Sequence, residues 1–192
     1  MDLIVMDTKW ENFRENIKLE KKTRIAILHE LSEYFFKYDR HLDLCEATDV
    51  YISPRTHTGM RIRRHKFFCN AEYRNQFTVR WKLPSGTRTE IDKIRDGYAD
   101  WFFYGFLNED ENDIIQFVLI NFDIFRYVTD PKRKYYVQPE FIFDNVDGSS
   151  TLAAFGINQF CGNMFVWHKG LSDWAETIIK RNTFENYKIP SM

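Results

Sequence analysis

The strongest constraint on the fold is an alternation. In Phe77-Thr-Val-Arg-Trp-Lys82 apolar and polar side chains change places at every residue. Successive strand side chains point to opposite faces, so this pattern marks a strand with one buried and one wet face. Two earlier runs share the period. One covers residues 46–53, with Val50 and Ile52 on one face, and one covers residues 60–68, after a turn at residues 54–59. Pro84-Ser85-Gly86 closes the run at 76–83. Residues 100–107 form an aromatic strand, and residues 114–122 form another after a polar turn at 108–113.

Helical spacing takes over elsewhere. Ile17, Leu28, Leu31, Phe35 and Phe36 recur at helical intervals, which predicts a helix over residues 17–38 with a polar stop at 39–43. Asp7 or Thr8 would cap a short helix before it. Thr87 or Thr89 would cap another, with Ile91 and Ile94 on one side and Gly97 as its stop. A last helix is expected near residues 171–181. This order predicts an α/β (α+β) fold, a mixed central sheet flanked by helices. With 192 residues and no linker-like stretch, the chain reads as a single domain, residues 1–130 forming the core and 131–192 a C-terminal extension packed on it.

Composition narrows the class. A 44% hydrophobic content excludes wholesale disorder. The apolar runs fall far short of the roughly 18 residues of a membrane helix, so no membrane partner is expected. Apart from Asp2, Met1–Met6 is apolar, but it has no basic flank or long apolar continuation, unlike a signal peptide. Cys45, Cys69 and Cys161 are widely spaced and odd in number, as in a reduced, cytoplasmic protein.

Charge is divided unevenly. Residues 55–95 hold eleven Lys and Arg against three Asp and Glu, a net of +8. The whole chain is at −1, so the remainder is at −9. Arg61, Arg63 and His65 share one strand face, and Thr78, Arg80 and Lys82 share another. If these strands pair, Asp49, Tyr51, Arg63, Arg80 and Lys82 meet on one continuous positive surface. Guanidinium groups offer paired donors to phosphate, so nucleic acid is the expected ligand. Salt bridging between the two charge blocks is the competing explanation.

The order helix, three strands, helix, aromatic strand resembles the PD-(D/E)xK nuclease superfamily, phage or mobile-element type, over residues 17–126. The likeness is closest in Phe77-Thr-Val-Arg-Trp-Lys82, the helix at Thr89-Glu-Ile-Asp-Lys-Ile94 and Ala99-Asp-Trp-Phe-Phe-Tyr104. The resemblance implies a restriction-endonuclease-like core. It also implies a Mg²⁺-dependent phosphodiesterase with Asp49 as a metal ligand and Lys82 orienting the attacking water. Glu20 or Glu30 on the first helix would add a carboxylate. The sequence departs from the pattern two residues before Lys82, where Arg80 replaces an acidic residue. Arg64-His65-Lys66 departs in the same way. The missing carboxylate would then come from the following helix, as Glu90 or Asp92.

The expected site therefore has Asp49, Lys82 and Glu90 as catalytic residues, with Asp49 and Glu90 on Mg²⁺. Arg61, Arg63, Arg64, Lys66, Arg80 and Arg88 would bind nucleic acid. The alternative is a non-enzymatic accessory or interaction protein that keeps only the basic face. Asp144-Asn-Val-Asp-Gly-Ser-Ser150 also resembles a metal-binding stretch of sugar and inositol phosphatases. An Asx-type turn followed by a Ser-capped helix explains it more simply.

Overall fold

The computed structural model describes residues 14, 15, 17–19, 21–32, 57–160 and 162–181. The described residues among 14–32 (14, 15, 17–19 and 21–32) are helical and are labelled α1. There follow β1 (Thr58–Arg63), α2 (His65–Phe68), α3 (Ala71–Arg74), β2 (Gln76–Lys82) and α4 (Glu90–Arg95). Next come β3 (Trp101–Leu107), β4 (Ile114–Asn121) and α5 (Phe122–Val128). The chain continues through β5 (Phe141–Asp144), β6 (Thr151–Gly156), two 3₁₀ turns, β7 (Phe165–Lys169) and α6 (Asp173–Arg181).

The fold is mixed α/β, and its strands fall into two sheets. One has the order β1-β3-β4-β7, with β1 parallel to β3 and the other pairs antiparallel. The second is an antiparallel sheet of order β2-β6-β5. The runs at 60–68 and 76–83 therefore do not pair, contrary to the expectation of one sheet. The first strand stops at Arg63, and His65 opens α2 instead of continuing the basic face. Residues beyond 130 supply β5, β6 and β7, and β6 is the middle strand of the second sheet.

The first sheet is covered on both faces. On one, Phe103, Phe117 and Leu119 pack with Ile27 of α1. The packed stripe of α1 includes Thr23, Ile27 and Glu30, whereas Ile25 and Leu28 are exposed. On the other face, Phe102, Tyr104, Val118 and Ile120 join Phe77, Val79, Ala153 and Phe155 of the second sheet, with α4, α5 and α6 completing the core. Phe77 and Phe155 are cross-strand partners whose rings stack at 5.6 Å between centroids. Gly105 lies beside the stacked Phe103 and Phe117, where an added Cβ would come within 3.1 Å of the Phe103 ring.

The segment at 144–150 is a turn, as expected, but it leads into a strand. Asn145 N–H donates to the Ser150 carbonyl and Gly148 N–H to the Asn145 carbonyl, with Gly148 at φ +63°. Ser149 N–H donates to Asp147 Oδ1, the local bond of an Asx turn. These bonds close the β5–β6 hairpin, so Ser150 caps no helix.

Candidate functional site

β1 is an edge strand, and this decides where its arginines go. In the parallel register Arg61 lies beside Tyr104 and Arg63 beside Phe106. Both arginines therefore share the sheet face that looks towards the second sheet. On β2, Thr78 and Arg80 pair with Ala154 and Leu152 on the face opposite Phe77 and Val79. Without pairing, the two strands bring these side chains to one cleft. Arg61 Nη1 donates to Thr78 Oγ1 at 3.3 Å, and Tyr104 Oη lies 3.4 Å from the same oxygen.

Two neighbouring hollows make up the cleft, and both are lined by Leu19, Ile62, Arg63 and Asn145. The smaller, about 300 Å³, also takes in Arg61 and Arg80. The larger, about 760 Å³, is bounded on the β1 side by Arg63, Arg64 and Lys66. Its second-sheet side is the hairpin from Phe143 to Asp147.

The cations are not equivalent. Arg61 Nη2 lies 2.6 Å from Glu90 Oε2 and is neutralised there. Arg64 is paired with Glu15 at 3.6 Å and Glu111 at 3.5 Å. Arg88 pairs with Asp96, its guanidinium over the Tyr98 ring. Arg63 instead places its guanidinium carbon over Phe67, 4.2 Å from the ring centroid, and Lys66 Nζ stands 5.2 Å from the same ring. Among the described residues no carboxylate pairs with Arg63, Lys66, Arg80 or Lys82. Arg80 is exposed, and its backbone N–H donates to Glu90 Oε2 at 2.7 Å. Lys82 is exposed at the far end of β2, past an irregularity in the ladder between Arg80 and Lys82.

Of the residues expected to act on Mg²⁺, the structure describes Lys82, Glu90, Asp92 and Glu30. Asp49, Glu20 and Tyr51 lie outside the described residues. Glu90 opens α4, and its Oε2 is taken by Arg61 and by the Arg80 N–H. A cation at that oxygen would have to displace a guanidinium. Asp92 accepts from the Thr89 N–H at 2.9 Å and from the Thr89 hydroxyl at 2.8 Å. These bonds hold its carboxyl below the ordinary value, helped by Arg95 and Arg88 and opposed by burial. Glu30 is buried and ion-paired with Lys169. No three His, Cys, Asp or Glu side chains converge among the described residues, a set that excludes Asp49 and Glu20.

Sequence reasoning missed the aromatic and hairpin parts of the cleft. Phe67 and Tyr73 stand on the one-turn helices α2 and α3, too short for helical periodicity to reveal. Phe143 and Asn145 reach the cleft only through β5–β6 pairing. The one available signal was the Asp144–Gly148 turn. No family model, curated protein or solved structure matches the chain.

Proposed function

We propose that the chain binds nucleic acid, holding its phosphates in the cleft between β1 and β2. One observation carries this reading: Arg63 and Arg80 reach the same cleft from different sheets, and neither has a carboxylate partner among the described residues. Arg61 stiffens the floor through Thr78 and Glu90. The Phe67 ring below Arg63 attracts its cation and restrains the side chain at the cleft. Phosphate fits such a site because each guanidinium offers two parallel donors.

The test is a salt titration of binding to labelled oligonucleotides. Each neutralised phosphate releases counterions, with a log–log slope of about −0.9 on duplex and about −0.7 on single strands. Affinity that falls steeply with salt supports the proposal. A flat response, or no binding at low salt, removes it. Hydrolysis is a separate matter. The nuclease-like core implied by the resemblance would add Mg²⁺-dependent cleavage through Asp49 and Lys82. The Glu90–Arg61 pair favours binding without it. Incubating the same complexes with Mg²⁺ separates the two, since cleavage abolished by Asp49→Ala would establish the enzyme and intact substrate the binding module.

A further inference from the structure

The larger hollow is two-sided in charge. Its β1 side carries Arg63, Arg64 and Lys66, and its hairpin side carries Asp144, Asn145 and Asp147. The Asp144 carboxylate accepts from the Thr151 hydroxyl at 2.6 Å and is otherwise exposed. Aromatic rings also line the hollow. Tyr73 is 43% exposed and Phe143 39% exposed, so both rings offer a face to a ligand in the hollow. The Phe67 ring carries the Arg63 guanidinium, whose planar group is itself a stacking surface.

A duplex presents phosphates on both of its strands, so gripping it would set one line of phosphates against Asp144 and Asp147. A single strand has one charged edge and one edge of bases. Base edges carry amino donors that a carboxylate or amide oxygen accepts, as Asp and Glu do towards cytosine. Cationic grooves with interleaved aromatics are the general means of holding unpaired strands.

We infer that the nucleic acid taken by this cleft is single-stranded, with phosphates on Arg63 and Lys66 and bases against Tyr73, Phe143 and the hairpin carboxylates. The inference rests on the proposed function, since it names the ligand class of the same cleft. Tyr73 and Phe143 are exposed, so replacing them leaves the core intact.

The experiment compares a short labelled single strand with the same strand annealed to its complement, at one fixed low salt concentration. The single strand should bind at least about tenfold tighter. Tyr73→Leu and Phe143→Leu should each weaken single-strand binding by roughly tenfold, the scale of one lost base–aromatic stack, and leave duplex binding unchanged. Unchanged thermal melting of both variants would show that they fold. Equal or tighter duplex binding, or folded leucine variants that hold the single strand as the wild type does, overturns this inference and leaves phosphate binding standing. No binding of either form overturns the proposed function and this inference with it.

Discussion

Arg61, Arg63 and Arg80 look alike in the sequence and do different work. Arg61 is only 15% exposed in its side chain and is locked to Glu90, itself 26% exposed. Removing Arg61 leaves a half-buried carboxylate without its charge partner, beside a Thr78 hydroxyl that has lost a donor. Arg61→Ala should therefore cost about 1.5–3 kcal/mol of stability, as hydrogen bonds to charged groups do. Arg80→Ala should stay within about 0.5 kcal/mol, because the side chain is exposed and only its backbone is engaged. Urea denaturation of the two variants checks this. Equal stabilities would mean that the Arg61–Glu90 pair contributes nothing. The sequence reveals the arginines but not this division, because Glu90 lies on a different element from both.

Among the elements, α4 was the most legible. Thr89, one of the two expected caps, precedes the helix, and Ile91 and Ile94 are buried on one side as expected, while Asp92, expected as a substitute metal carboxylate, forms a capping box with Thr89. The Asp92 carboxyl is held low by the Thr89 N–H and hydroxyl. A carboxyl lowered on folding contributes stability that is present above the ordinary value of about 3.9. That stability is lost as pH falls through the lower folded value. Asp92→Ala should remove about 1 kcal/mol at neutral pH and flatten the acid limb of a stability–pH profile. An unchanged profile would refute the capping role. The strands β5 and β6 were illegible for opposite reasons. Phe141, Ile142 and Phe143 are all exposed, so no alternation marks β5. Leu152, Ala153, Ala154 and Phe155 are all buried, so β6 reads as an uninterrupted apolar run. In α1 the helix was legible but its buried side was not, because apolar Ile25 and Leu28 are exposed while Thr23 and Glu30 are buried.

At the scale of the whole molecule, the two-sheet arrangement could not be read from local pattern. β2 pairs with β6 across some seventy residues, and β1 pairs with β3 beyond three intervening helices and β2. Alternation says which face of a strand is buried, not which strand lies beside it. The uneven charge was legible, but not how it is spent. Arg61, Arg64 and Arg88 are neutralised by Glu90, Glu15, Glu111 and Asp96. Arg63, Lys66, Arg80 and Lys82 have no carboxylate partner among the described residues. A second basic hollow, lined by Arg95, Arg126 and Lys132, offers an internal control. Its Arg126 is engaged by the Ile94 and Ala99 carbonyls and by Asp123.

The most direct measurement is therefore the salt slope of nucleic-acid binding for wild type, Arg63→Ala/Arg80→Ala and Lys132→Ala. Each phosphate contact removed should lower the slope by about one. The double variant should bind weakly with a slope reduced by roughly two, and Lys132→Ala should match the wild type. A double variant that keeps the wild-type affinity and slope would contradict the account, because the cleft between β1 and β2 would then not be where phosphate is held.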